Sequence, residues 1–162
     1  MTVDNGASRA DDAMLIGIDP LLGPECLATL RAMGHGDHLV LADANFPAAS
    51  TARRLLRIDG AGMLAALSAV LGVLPIDDFE PEPLVSMQVV GDPNAVPAIT
   101  RDMQRLVDRI VPAKPRIVAR ERFAFYELAR SAYAVIATSE RAFYANLILR
   151  KGVVPPPPSH AP

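Results

Sequence analysis

Apolar positions along the chain switch between two spacings, and the switching predicts a fold. Leu27, Leu30 and Met33 recur every third residue behind Pro24-Glu25. Proline suits the first helical position, where its missing N–H is no loss, and an acid suits the positive end of the helix dipole. Gly34 ends that helix. His38–Ala44 (HLVLADA) is a short apolar run and reads as a buried strand. Met63, Leu64, Leu67, Val70, Leu71 and Leu74 return at helical spacing until Pro75 stops them. Leu84–Val90 reads as a second strand, and Ile99, Met103, Leu106 and Ile110 mark an amphipathic helix. Arg116–Ala119 is a third strand, Phe123–Ser131 a helix, and Tyr133–Thr138 and Asn146–Arg150 two more strands.

Strands alternating with helices predict an α/β fold, a single-domain layered sandwich with a largely parallel sheet. Ligands of such sheets bind beyond the carboxyl ends of the strands, so the loop after Leu41 is the first place to look. The pattern occupies residues 14–153. Residues 1–13 are small, polar and acidic and are expected to be disordered. Pro155–Pro158 cannot join a ladder, so 154–162 is expected to be an extended, proline-rich tail. No internal repeat is visible.

Composition narrows the function classes. The 162 residues suit one domain with a core of its own, and 51% are apolar. A net charge of -2 argues against nucleic acid or an anionic membrane as a partner. No apolar run approaches the roughly 20 residues of a membrane helix. The acidic start, with Asp4, Asp11 and Asp12, lacks the basic opening of a secretory signal. A single cysteine, Cys26, forms no internal disulfide and reads as a buried, inert thiol. These features predict a cytoplasmic protein.

Polar residues are densest at Gly34-His35-Gly36-Asp37-His38, followed by Asp43 and Asn45. His35 lies between two glycines, which allow unusual backbone angles or close approach of a ligand. Its imidazole changes charge near neutral pH and suits proton transfer. It could equally cap the preceding helix at its negative end, and spacing does not choose between the two. Asp43, at the end of a buried strand, needs partners: neighbouring loop amides, or a substrate hydroxyl. A metal set of His35, Asp37, His38 and Asp43 matches no strong ligand spacing, and His38 should point away from Asp37 as the strand starts. Arg122 and Tyr126 share a helix face four residues apart. Arg122 opposes the dipole at that helix start, so it answers to a carboxylate such as Glu121 or Glu127, or to a ligand. Tyr144 and Asn146 are two apart where a strand begins, which would turn both to one side of the sheet.

Taken together the motifs are more specific. PECLATLRAMGHGDHLVLADANFPA (24–48) and RERFAFYELARSAYAVIATSERAFYANLILRKGV (120–153) resemble the L-fucose mutarotase / D-ribose pyranase family, and so does Arg57-Ile58-Asp59-Gly60 between them. GHGD, DANFP, RFAFYE and Y-x-N occur in order, and the match is weakest over 76–115. The resemblance implies a D-ribose pyranase-like fold and assembly into rings or smaller homo-oligomers. It also implies interconversion of the anomers of a free monosaccharide without metal or organic cofactor. L-fucose is the first candidate substrate, with a pyranase acting on ribose, or a sugar-binding module without turnover, as alternatives. It assigns His35 as proton donor and Asp43, Arg122 and the Tyr144-Ala145-Asn146 segment as sugar-binding, with Asp37 and Tyr126 in support. The general base stays open among Asp43, Tyr144 and a water. Ser139 and Ala145 stand where glycine is usual in relatives, which bears on the choice of sugar.

Overall fold

The computed structural model describes residues 15–157. The expectations for residues 1–13 and for the tail beyond Pro157 lie outside them. Eleven elements follow in order. They are α1 (Pro24–Ala32), β1 (His38–Ala42), α2 (Ala48–Thr51), β2 (Leu55–Ile58), α3 (Met63–Leu71), β3 (Leu84–Met87), α4 (Ala98–Ile110), β4 (Ile117–Arg120), α5 (Arg122–Ser131), β5 (Ala134–Thr138) and β6 (Leu147–Arg150). Residues 152–157 form neither helix nor strand.

One six-stranded sheet has the order β2-β5-β1-β6-β3-β4. β2, β5 and β1 pair in parallel, as do β3 and β4, while β6 runs antiparallel between β1 and β3. Five strands therefore point one way and one points back, which is the largely parallel sheet expected. Strand side chains alternate between the faces, and each face buries its own core. Leu39, Leu41, Ile136, Leu147 and Leu149 meet α1, α3 and α4 through Leu30, Met63, Leu67, Met103 and Val107. Val40, Ala42, Val135, Ala137 and Ile148 meet Phe46, Ala48, Phe125 and Ala129 on the other side. Helices on both faces of one sheet make the layered sandwich.

The differences from the expected elements have local causes. β1 stops at Ala42 because the Asp43 carboxylate folds back onto the amides of Asn45 and Phe46, closing a turn. Tyr144 and Asn146 precede β6, which starts at Leu147, and Tyr144 has φ +61°. The two therefore do not share a sheet face by strand alternation. β2 and the single-turn α2 were not anticipated.

Candidate functional site

The polar residues singled out in the sequence fall at two opposite edges of the sheet. The amino edge of β1 carries His35. α1 has already ended before it, and the last carbonyls of that helix, at Leu30 and Met33, accept from the Lys151 ammonium. Lys151 therefore does the capping that was one of the two readings of His35. The His35 imidazole turns instead to Asp77, with Nε2 3.3 Å from Oδ1. Its ring meets Phe79 edge-on at 5.6 Å. Asp77 is fully enclosed, whereas 47% of the His35 side chain is exposed.

Three groups serve the Asp77 carboxylate. Oδ1 accepts from the Phe79 amide at 3.0 Å as well as from His35, and Oδ2 accepts from Arg150 Nε at 2.8 Å. Burial pushes this carboxyl up, but the Phe79 amide, the Arg150 guanidinium and the His35 imidazole outweigh it and hold the group below the usual carboxylate range. An ionised Asp77 accepts from His35 Nε2, which leaves Nδ1 free for other work. Sequence reasoning missed Asp77 and Arg150. They stand 42 and 115 positions from His35, and no local pattern joins them.

The flanking residues of His35 are structural. Gly36 has φ +85°, the backbone angle that was one of the two reasons for a glycine here, and a Cβ would lie 3.2 Å from a nitrogen of the Arg150 side chain. The Asp37 carboxylate accepts from the Gly34 amide at 2.7 Å and closes the turn that presents His35. His38 opens β1, and burial first, then Arg150, lowers its pKa against the opposing pull of Asp37. Among the described residues, no three His, Cys, Asp or Glu side chains converge as a metal ion would require.

The carboxyl edge carries the other residues. Asp43 and Asn146, both buried, are bound reciprocally. Asn146 Oδ1 accepts from the Asp43 amide at 2.9 Å, and Asn146 Nδ2 donates to Asp43 Oδ2 at 2.8 Å. Asp43 Oδ1 is taken by the amides of Asn45 and Phe46, each at 2.9 Å. Loop amides were one of the two readings of Asp43, and they are realised. A carboxylate has about four acceptor sites, so three donors leave it room for a further one. The Tyr144 hydroxyl accepts from the Val90 amide at 3.2 Å and keeps its own proton available to donate. Ala145, expected to bind sugar, is fully buried in the core, peptide and methyl alike, so it presents no surface to a ligand within one chain.

Arg122 stands at the first position of α5 with its guanidinium 4.9 Å from the Phe123 ring centre. The two carboxylates offered as its partners are engaged elsewhere. Glu121 caps α5 by accepting from the amides of Phe123 and Ala124, and Glu127 pairs with Arg130. Arg122 lines an open cavity of about 340 Å³ together with Val90, on the amide that holds Tyr144. Tyr126 lies half-buried, its ring stacked on Phe46 at 5.6 Å, and serves the packing of that corner.

Asp43, Asn146, Tyr144 and Arg122 thus share one edge, and His35 with Asp77 occupies the other. β1 separates them by five residues, or roughly 17 Å at the rise of a strand. One monosaccharide cannot bridge that distance within one chain.

Comparison with known proteins bears on this arrangement. Residues 16–154 match the RbsD / FucU transport protein family. The chain belongs to that family. It is 40% identical over 142 residues to the L-fucose mutarotase of Actinobacillus pleuropneumoniae, covering 88% of this chain and 99% of that one. Among RbsD / FucU structures, it superposes with a TM-score of 0.80 on the fucose mutarotase of Streptococcus pneumoniae solved in complex with L-fucose. That pair is 39% identical, over 87% of this chain and all of the other. Bacillus subtilis RbsD, solved with D-ribose, superposes with a TM-score of 0.64 at 21% identity and shares the fold.

Proposed function

We propose that this chain is a mutarotase, an isomerase that interconverts the α and β anomers of a free monosaccharide, with L-fucose as substrate. The observation that carries this reading is the likeness, over 87% of this chain and the whole of the other, to a fucose mutarotase solved with L-fucose bound. The chemistry of the two edges supports it. Mutarotation removes a proton from the anomeric hydroxyl and delivers one to the ring oxygen. The ring opens to the aldehyde, the carbonyl rotates, and closure on its other face gives the other anomer. His35 is the proton donor, half-exposed: in its protonated form Nε2–H is held by the enclosed Asp77 carboxylate, which orients the ring, and Nδ1–H is the proton given to the ring oxygen. Asp43, Asn146 and Arg122 hold sugar hydroxyls through charge-assisted and amide hydrogen bonds. The anomeric proton goes to the Asp43 carboxylate, which keeps an acceptor site, or to a water, while Tyr144, whose hydroxyl keeps its proton to give, donates to a sugar oxygen.

The separation of the edges supports a homo-oligomer with head-to-tail contacts, in which His35 of one copy meets the carboxyl edge of another. Exposed Phe79 beside His35 and exposed Phe123 beside Arg122 offer each edge an apolar rim to bury in that contact. The lone buried thiol, Cys26, suits a reducing compartment, and the reading assigns the protein to the cytoplasm.

Exchange NMR on the anomeric protons tests the activity, with L-fucose, D-ribose and L-rhamnose compared. Protein-dependent transfer between the α and β signals, fastest with L-fucose, is expected. Transfer with D-ribose alone would make the chain a pyranase, and saturation transfer without exchange would make it a sugar-binding module.

A further inference from the structure

Glu140 takes no part in the chemistry above, yet it ties together four segments of the carboxyl edge. Its Oε2 accepts from the Met63 amide at 3.1 Å, at the start of α3. The N-cap of that helix is Gly62, which has no side chain to cap with. Its Oε1 accepts from the amides of Arg141 and Ala142, both at 2.8 Å, at the start of the loop that ends in Tyr144 and Asn146. Its carbonyl accepts from the Ala44 amide at 2.8 Å, beside the Asp43 turn. Its amide donates to the Thr138 hydroxyl, which donates in turn to the Ala42 carbonyl.

We infer that Glu140 is a positioning residue for the sugar site, fixing the 141–146 loop against α3 so that Tyr144 and Asn146 stand in register with Asp43. The inference rests on the assignment of those three residues to the sugar. Tyr144 has φ +61°, a conformation that costs a non-glycine residue free energy and persists where surroundings enforce it. The Val90 amide holds its hydroxyl end, and the Glu140 carboxylate holds the root of its loop. Three N–H groups face that carboxylate and use both oxygens. Glutamine has the same shape but offers one acceptor oxygen, and its NH2 would confront a donor on the other side. The Ala142 amide first, and those of Met63 and Arg141 with it, hold the Glu140 carboxyl below the usual range against the opposing push of burial, so the clamp is set at neutral pH.

The test compares Glu140→Gln with Gly62→Ala and Val107→Ala. A Cβ on Gly62 would lie 3.1 Å from Glu140 Oε2 and disturb the same carboxylate from the other side. Val107 is a fully buried residue of α4 with no part in the Glu140 hydrogen bonds, and Val107→Ala lowers stability by opening a cavity. Glu140→Gln should raise KM for L-fucose by about tenfold with a smaller change in kcat, because His35 is untouched. Gly62→Ala should shift KM the same way by less, and Val107→Ala should lower the melting temperature with KM unchanged. Amide hydrogen exchange over 141–146 should quicken in the first two variants. A KM for Glu140→Gln within about twofold of wild type, or a rise matched by Val107→Ala, would overturn the inference. Absence of anomer exchange in the wild type would overturn the mutarotase reading instead, and loop protection in Glu140→Gln would then decide the role of Glu140.

Discussion

The two edges of the sheet solve opposite problems. At the carboxyl edge, Asp43 and Asn146 are buried and close on each other through two hydrogen bonds, so the polar groups that would hold a sugar also hold the fold. At the amino edge, His35, the proposed proton donor, is half-exposed, and the Asp77 carboxylate that orients it is sealed away. A binding surface gains from rigidity, because ordering it in advance lowers the cost of association. A proton donor has to reach both solvent and substrate, so its rigidity is borrowed from a buried neighbour. The first edge should therefore couple activity to stability, and the second should separate them.

His35→Ala is the strongest attempt to break that contrast. Anomer exchange should fall by roughly 100- to 10,000-fold, the usual worth of a placed acid or base, while circular dichroism and the melting temperature stay near wild type. A well-folded variant that keeps most of its exchange would remove His35 from the mechanism. Asn146→Ala comes next and should do both kinds of harm. It strips the Asp43 amide of its acceptor and one carboxylate oxygen of its donor, both buried, costing about 1–3 kcal/mol in urea unfolding along with sugar binding. Unchanged stability would show that the pair does not hold that edge.

Asp77→Asn sharpens the contrast with a smaller effect, read through pH. Its partners depress the folded pKa of Asp77 below the unfolded value. The group therefore adds stability above the unfolded value of about 4, and that contribution is lost as pH falls through the lower folded value. The wild type should lose stability over that acid window, and Asp77→Asn should show a shallower acid slope. Identical slopes would mean that Asp77 does not titrate differently on folding.

Much of the fold was legible because apolar spacing reports directly on burial. Met63, Leu67 and Val70 on α3 and Leu39, Val40 and Leu41 on β1 all sit in the core that their spacing predicted. What escaped were pieces too short for a period to show. β2 is four residues long and alternates exposed and buried, and α2 is one turn. The Tyr144–Asn146 segment was misread as the start of a strand because a left-handed residue that is not glycine leaves no mark in the sequence. Of the site, Asp43 and Asn146 were both visible as chemistry, but their mutual bond spans 103 positions. The placement of His35 against Asp77, and away from Asp43, follows from sheet order, which pairwise spacing cannot reveal.

Subunit mixing measures the central claim most directly. His35→Ala and Asn146→Ala, each nearly inactive alone, are unfolded together, refolded as a mixture and assayed for exchange between the L-fucose anomers. If each site joins the amino edge of one copy to the carboxyl edge of another, random assembly from equal parts gives about one quarter of the sites two intact edges, and activity should return to about that fraction of wild type. A mixture no more active than its two parents would contradict the account, and would place the whole site within a single chain.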